Sequence, residues 1–140
     1  EVSKYIYILK DISNEDIIKM TSDVEFLEFK EGEIVFEDKE ESDEIYFLLR
    51  GMLAVDVKKG DEYKEIASIK PLELFGEMAF VSKKPRNARI RSVREQSTII
   101  KFVIDEGAYE PSLCYSFMKL YKNIATVIAK KLETSNDGLK

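Results

Sequence analysis

Residues 75–88 hold the densest group of side chains suited to binding an anion. Gly76 and Glu77 are predicted to begin a short helix, and Arg86 follows directly behind Pro85. Glycine lets the backbone approach a ligand closely, and the unpaired amides at a helix start attract an anion. Arginine donates charge-assisted, often bidentate hydrogen bonds to phosphate, whereas an ionised carboxylate can only accept, for example from a sugar hydroxyl. These residue types predict a site for a small phosphorylated sugar.

The same residues also allow a simpler interpretation, which remains open at this point. Glu77 and Arg86 can pair with each other across a loop, with Gly76 serving only as a turn residue. The elements on either side decide how the segment is held. Residues 71–74 indicate a loop that leads into it, and the apolar residues after Glu77 are expected to pin the helical turn to the core; they are Met78, Phe80 and Val81.

Composition restricts the class of protein. The 140 residues are 44% hydrophobic and 35% charged, as in ordinary globular proteins, and this length predicts a single domain over residues 1–140. Histidine is absent from the sequence. This removes the commonest general base and the commonest metal ligand, which disfavours Ser-His and Cys-His hydrolases and metal-dependent enzymes of the cupin type. We therefore expect neither an enzyme nor a metal site.

Charge and cysteine content indicate the surroundings and partners. With 27 acidic against 22 basic residues the net charge is −5, which suits nucleic acid poorly, so no nucleic acid contact is expected. Cys114 is the only cysteine, so no intrachain disulfide is possible. No apolar run approaches the ~20 residues that span a bilayer, and no secretory signal opens the chain. We predict a cytoplasmic location away from membranes.

Three regions follow one another along the chain. Residues 1–23 are predicted to be helical, with Ser13 and Asp16 resembling a capping box before a short helix through Met20. Residues 24–104 show short apolar runs separated by turn signals at Glu31-Gly32, at Gly51 and at Lys59-Gly60-Asp61. Short strands at this spacing favour a sandwich or rolled barrel over a parallel sheet.

Residues 105–140 are predicted to be helical, with a long helix from Pro111 to about Ser135. Asn136-Asp137-Gly138 either ends this helix or begins a linker. Its apolar residues recur at helical spacing and form a stripe that serves either as intramolecular core or as a dimer seam; they are Leu113, Phe117, Leu120, Ile124, Val127, Ile128 and Leu132. The acidic run at residues 37–44 indicates a solvated hairpin loop, because the spacing of a calcium-binding EF-hand loop is missing.

The string in residues 75–88 resembles the phosphate-binding cassette of the cyclic-nucleotide-binding domain family, which includes catabolite-activator-type regulators and protein kinase A regulatory domains. The family pattern is Phe-Gly-Glu, an aliphatic residue and Ala, then Pro-Arg-x-Ala. The matching residues here are Phe75, Gly76, Glu77, Met78, Ala79, Pro85, Arg86 and Ala88, with Asn87 at the variable position. Residues 32–36 and 45–51 resemble the first two hairpins of that family.

The resemblance implies a mainly β fold, a double-stranded β-helix or jelly-roll-like β-roll with N-terminal helices and a long C-terminal helix. It implies a sensor of cAMP or cGMP with no further cofactor. Glu77 would accept from the ribose 2′-hydroxyl, and Arg86 would pair with the cyclic phosphate beside backbone amides near Ala79 and Ala88. Asn87 stands where Thr or Ser can favour cGMP and Ala accompanies cAMP, so the choice of base stays open.

The resemblance also implies that the C-terminal helix covers the base, with Asn123 and Thr126 as polar candidates for contacting it. That helix would signal by moving, and it can form a homodimer interface. Some residues depart from the family pattern. Arg89 replaces the usual Thr or Ser, and strand alternation predicts that Arg89 and Arg91 point outward. Lys39 and Ser42 stand where glycines are common. The alternative function is a degenerate domain that binds no nucleotide and serves dimerisation or interaction.

Overall fold

The computed structural model describes the backbone of residues 5–138 and the side chains of residues 5–134. Two compact units divide the chain: a strand unit, Asp23–Val103, and a helical unit formed by Glu1–Ser22 and Ile104–Lys140. Among the described residues, no helix has the length and apolar character needed to cross a membrane. The prediction of one domain over residues 1–140 stays a prediction.

Eight strands and three α-helices are described. The strands are β1 (Thr21–Phe29), β2 (Ile34–Phe36), β3 (Ile45–Arg50), β4 (Leu53–Lys59), β5 (Glu62–Ile69), β6 (Leu74–Phe75), β7 (Arg89–Ser92) and β8 (Ser97–Ile104). The α-helices are α1 (Asn14–Met20), α2 (Glu77–Ser82) and α3 (Cys114–Gly138), with short 3-10 turns at Tyr7–Leu9, Glu106–Ala108 and Pro111–Leu113. The fold is mainly β, as predicted.

The strands form two four-stranded sheets in the orders β1-β8-β3-β6 and β2-β7-β4-β5. Five pairings are antiparallel: β2 with β7, β3 with β6 and with β8, and β4 with β5 and with β7. Apolar side chains of both sheets meet in one buried core, as alternation along the strands requires; its members are Phe36, Tyr46, Leu48, Leu53, Ile69, Phe75, Ile90 and Ile99. The expected β-roll is confirmed.

The cassette enters this unit through a strand that the sequence did not predict. Residues 71–74 were expected to be a loop, but Leu74–Phe75 form β6 and pair with Tyr46 and Phe47 of β3. Phe75, which lies directly before Gly76, is therefore paired with Tyr46. Because most of β3 is buried, residues 75–88 begin at a strand that pairs with the buried part of the strand unit.

The helical unit is held by several local contacts. Ser13 caps α1 by accepting a hydrogen bond from the amide of Asp16 at 3.2 Å, as the capping box predicted. Asp16 in turn accepts from the hydroxyl of Ser116 in α3 at 2.6 Å. The predicted helical stretch 1–23 is otherwise shorter in the structure, with one 3-10 turn before α1 and β1 already beginning at Thr21; residues 1–4 lie outside the described part.

The apolar stripe of α3 changes character along its length. Leu113, Phe117, Leu120 and Ile124 are buried, Val127 and Ile128 are half-buried, and Leu132 is 61% exposed. The first half of the stripe is therefore core of the helical unit. The helix continues through Gly138 rather than ending near Ser135, and Pro111 lies in a 3-10 turn that precedes α3.

Candidate functional site

Arg86 is a buried cation whose partners are neutral oxygens. The side chain is 3% exposed. Its Nη1 donates to the carbonyl of Gly76 at 2.7 Å, and its Nη2 donates to the carbonyl of Glu44 at 2.8 Å and to the hydroxyl of Ser42 at 3.3 Å. Within the described part of the chain, Nε has no hydrogen-bond partner. The guanidinium is therefore fixed in place, and its Nε–H still lacks an acceptor.

Aromatic rings surround this guanidinium. Its central carbon lies 4.3 Å from the ring centroid of Phe36 and 5.6 Å from that of Tyr46. Tyr46 stacks on Phe75 with centroids 5.1 Å apart and ring planes 13° from parallel. Cation–π attraction of this kind strengthens when the cation is desolvated. The rings also exclude water, which strengthens any electrostatic contact that the guanidinium makes.

Burial changes the pKa values of two side chains in this cluster, Arg86 and Tyr46. It lowers the pKa of the Arg86 guanidinium from its ordinary value, and the negative charges of Tyr46 (when ionised), Glu44, Glu40 and Asp43 oppose that change. Burial also raises the pKa of the Tyr46 hydroxyl, helped by Glu44. Arginine nevertheless stays protonated in proteins. An incoming anion would therefore meet a permanent positive charge in a poorly hydrated setting.

Gly76 meets a steric requirement at the start of α2. It caps the helix in the left-handed region with φ of +84°. A Cβ at this position would lie 3.0 Å from Nη1 of Arg86, 3.0 Å from a ring carbon of Tyr46 and 3.1 Å from the carbonyl of Glu44. The absence of a side chain therefore allows the helix start and the guanidinium to approach each other. The expectation that Gly76 admits a ligand stays a prediction.

The remaining predicted residues divide by burial. Glu77 is 1% exposed and opens α2, while Phe75, Ala79 and Ala88 are also buried. Met78, Pro85 and Asn87 are exposed. The expectation that three apolar residues pin α2 to the core was wrong for two of them: Met78 is 51% and Val81 50% exposed, and only Phe80 is buried. A helix of one and a half turns has room for only one narrow buried face.

The acidic loop contributes to the site in a way that the sequence did not indicate. Its side chains are mostly exposed, as a solvated loop requires. The predicted hairpin was wrong, because the loop connects β2 of one sheet to β3 of the other. Its backbone, however, pairs with the arginine: the amide of Lys39 donates to the carbonyl of Arg86 at 2.8 Å, and the amide of Arg86 donates to the carbonyl of Glu40 at 2.9 Å. The loop lies more than 40 positions before Arg86, so no local sequence signal indicated this pairing.

Side chains of the same loop form a small network beneath the guanidinium. The hydroxyls of Ser42 and Tyr46 both donate to Oε2 of Glu44, at 2.9 and 3.2 Å. Lys101 lies 3.7 Å from Oε1 of the same carboxylate. Glu44 therefore holds the loop with its carboxylate while its backbone carbonyl accepts from Arg86.

A second charged cluster lies on β4 and β7, just after the cassette. Asp56 is 1% exposed and accepts from Arg89 at 3.1 and 2.8 Å and from Arg91 at 2.9 and 3.0 Å. Hydrogen bonds from Arg91, and then from Arg89, hold the pKa of the Asp56 carboxyl below its ordinary value. Ala88 and Ile90 are buried, so the predicted alternation along β7 is confirmed. The acidic partner was missed.

Asn123 has a structural role within the helical unit. Its side-chain amide donates to the carbonyls of Ile8 and Lys10 at 3.1 and 3.0 Å. The hydroxyl of Thr126 donates to the carbonyl of Lys122 in its own helix at 3.0 Å. Both polar groups proposed from the sequence for the base are thus already engaged, Asn123 in fastening the N-terminal turn to α3.

Known proteins are similar to this chain in sequence and in fold. The cAMP-dependent protein kinase type II regulatory subunit of Drosophila melanogaster is 26% identical over 122 residues, which cover 85% of this chain and 32% of that protein. The regulatory domain of Toxoplasma gondii PKA with cAMP matches with a TM-score of 0.65 at 18% identity, over 94% of this chain and 47% of that one. The regulatory subunit of a cAMP-independent protein kinase A from Trypanosoma brucei also matches at 0.65, with 16% identity over 91% and 42%.

The chain spans about a third of the length of the curated relative it matches. The solved structures establish the fold alone, because their sequence identities are low. The family described as "Cyclic nucleotide-binding domain" matches residues 26–106, which include β2 to β8, the cassette and the buried arginine. This chain belongs to the cyclic nucleotide-binding domain family.

Proposed function

We propose that this chain is a ligand-sensing regulatory module that binds a cyclic nucleotide, cAMP or cGMP, in the strand unit. Arg86 pairs with the cyclic phosphate, and Glu77 accepts from the ribose 2′-hydroxyl. Backbone amides near Ala79 and Ala88 complete the phosphate contacts. Phe75, Gly76, Met78, Pro85 and Asn87 form the rest of the cassette. Family membership supports these roles, as does the burial of the two charged side chains.

One observation carries the proposal: a buried arginine rests on aromatic rings with Nε still unpaired. A net contribution of ~1.5–3 kcal/mol is typical for a hydrogen bond to a charged group. Together with amide contacts and burial of the base, such bonds reach about −8 kcal/mol, which corresponds to micromolar affinity. A simple turn residue would have no need for this arrangement.

The nature of the base is the finer part of the proposal. The Drosophila relative belongs to a cAMP-dependent kinase and the Toxoplasma domain was solved with cAMP, which favours adenine. Asn87 is exposed and carries an amide that can donate to or accept from either purine. We therefore retain both nucleotides and expect a modest preference rather than strict selection.

Signalling follows from a difference in affinity between two conformations. We propose that α3 is the element that moves and that it carries the signal to whatever this module regulates. The half-buried residues Val127 and Ile128 offer a homodimer contact. In this proposal the chain performs no reaction, contacts no nucleic acid and acts in the cytoplasm.

Titration calorimetry with cAMP and with cGMP tests the proposal directly. We expect micromolar binding of at least one nucleotide, and a higher unfolding temperature in its presence, because a ligand of the native state stabilises by about 2.7 kcal/mol at a hundredfold excess over Kd. The matched noncyclic nucleotide 5′-AMP is the control for nonspecific anion binding. No heat and no thermal shift with either cyclic nucleotide would refute it.

The second candidate is a degenerate member that binds no cyclic nucleotide. The regulatory subunit of a cAMP-independent protein kinase A from Trypanosoma brucei has the same TM-score, 0.65, as the Toxoplasma domain with cAMP. The fold by itself therefore does not decide between them. The two carbonyls that Arg86 already engages also compete with a phosphate. The calorimetric experiment separates the two candidates.

A further inference from the structure

The hydroxyl of Ser42 lies against the cation of the cassette. Its Oγ accepts from Nη2 of Arg86 at 3.3 Å and donates to Oε2 of Glu44 at 2.9 Å. The side chain is half-buried, whereas its neighbours Glu41 and Asp43 are exposed. Ser42 belongs to residues 37–44, which form neither strand nor α-helix between β2 and β3. A nucleophilic hydroxyl is thus placed on a loop beside the one buried arginine.

From this geometry we propose that Ser42 is a phosphorylation site whose phosphate binds Arg86 and competes with the cyclic nucleotide. The regulatory part rests on the proposed function of the cassette. A phosphoserine carries ~−1.5 to −2 charges at neutral pH and three strong acceptor oxygens. Nε of Arg86 has no hydrogen-bond partner. Nη2 of Arg86 already contacts Oγ of Ser42, the atom to which the phosphate would be attached. The modified side chain supplies internally the anion that the ligand supplies from solution.

The sequence around Ser42 indicates the class of enzyme. Four acidic residues flank the serine on its two sides in the stretch Glu40-Glu41-Ser42-Asp43-Glu44. Kinases select substrates partly by charge pattern, so an acid-directed serine kinase with a basic substrate groove fits this loop. Oγ of Ser42 attacks the γ-phosphorus of magnesium-bound ATP. The new O–P bond forms as the bond to the β,γ-bridging oxygen breaks. ADP leaves with that electron pair, and the hydroxyl proton passes to the catalytic carboxylate of the kinase.

Charge balance explains why modification opposes ligand binding. The charged groups around Ser42 are the cation of Arg86 and the carboxylates of Glu40, Glu41, Asp43 and Glu44, with Lys83 4.0 Å from Asp43 and Lys101 3.7 Å from Glu44. The phosphate repels the carboxylates and finds its nearest cation in Arg86. A second anion then meets a neutralised arginine and a more negative loop, so affinity for a nucleotide phosphate falls.

The first test uses the whole chain, ATP and an acid-directed serine kinase. We expect peptide mapping by mass spectrometry to place one phosphate on Ser42 and none in Ser42→Ala. Phosphorus NMR of the modified protein should show a second phosphate pKa below the ~6 of free phosphoserine, returning toward that value in Arg86→Lys. This readout needs no cyclic nucleotide, so it stays informative even if the proposed function fails.

The second test measures nucleotide affinity of modified and unmodified protein by calorimetry. We expect phosphorylation, or Ser42→Asp, to weaken binding at least about tenfold relative to Ser42→Ala, which loses the hydroxyl without gaining a charge. Ser68→Asp places the same charge on the exposed strand β5 and should leave affinity unchanged. A folded chain that the kinase leaves unmodified at Ser42 overturns the proposal. An unshifted phosphate pKa, or modified protein with unchanged affinity, overturns it as well.

Discussion

Two arginines that lie five positions apart, Arg86 and Arg91, have opposite surroundings. Arg86 is deeply buried and donates to carbonyl and hydroxyl oxygens, so burial lowers the pKa of its guanidinium. Arg91 is partly exposed and donates to the carboxylate of Asp56, and these hydrogen bonds raise the pKa of its guanidinium. The first cation has no internal counter-charge bonded to it, whereas the second is neutralised within the fold.

Under the proposed function, this difference separates a binding cation, Arg86, from a structural one, Arg91. A buried charge without a bonded counterion destabilises the fold. Proteins retain such charges mainly at functional sites, where a ligand can neutralise them. Asp56 and its two arginines, by contrast, satisfy one another and fasten β7 to β4. Residue type alone does not distinguish these roles, because both are arginines on the same stretch of chain.

The largest expected effect is the loss of ligand affinity in Arg86→Ala. Removing a guanidinium that makes at least two charge-assisted bonds should weaken cyclic nucleotide binding by at least about a hundredfold. Calorimetry measures the loss. Arg86→Lys keeps the charge without the planar fork and should fall in between. Arg91→Ala should leave affinity within about threefold, and equal losses in Arg86→Ala and Arg91→Ala would erase the distinction between the two cations.

Asp56→Ala tests the structural side of the comparison. It leaves two arginines without their shared acceptor, and their side chains are 23% and 28% exposed, so water compensates in part. We expect a loss of about 1–3 kcal/mol in the free energy of unfolding, measured with denaturant. Nucleotide affinity should change little. A variant that unfolds normally but loses ligand would instead make this cluster part of the site.

Gly76→Ala examines the close approach that brings the helix start to Arg86. The new Cβ meets the guanidinium, a Tyr46 carbon and the Glu44 carbonyl, and φ of +84° adds backbone strain of about 1–2 kcal/mol. Gly60→Ala is a matched control, because φ there is +65° but no atom lies within 4 Å. Both variants should lose similar stability from strain by thermal unfolding. Only Gly76→Ala should also lose about tenfold in affinity, and the contrast fails if Gly60→Ala loses as much.

The sequence predicts the parts of this molecule whose causes are local. The Ser13 cap of α1, the glycine at the start of α2 and the alternation of Ala88 and Ile90 all depend on residues a few positions apart, and each is confirmed. The partners of the arginines are distant in sequence: Ser42 lies 44 positions from Arg86, and Asp56 lies 33 from Arg89.

Such distant pairs depend on which strands become neighbours. Composition and periodicity do not specify that order, so the sequence suggested a pair of functional charges without the loop that holds Arg86. The same limit applies to Met78 and Val81, whose apolar character indicated burial although a helix as short as α2 buries only one face. The residues proposed to contact the ligand were singled out because their local pattern is itself characteristic.

The smallest expected effect concerns acid sensitivity, and it follows from the carboxylate of the structural cluster. The folded pKa of Asp56 lies below its ordinary value of 3.8, so the folded state favours the ionised form. This stabilisation is fully present above the unfolded pKa and is lost as pH falls through the folded pKa. We therefore expect the unfolding temperature to drop between about pH 5 and pH 2. It should drop less in Asp56→Asn, whose folded state is already less stable at neutral pH. Since Arg86 does not titrate in this range, Arg86→Lys should retain the full acid dependence of the parent chain. An equally steep acid dependence in Asp56→Asn would mean that other carboxylates cause it, and the buried aspartate would then contribute packing and hydrogen bonds rather than a proton-linked charge.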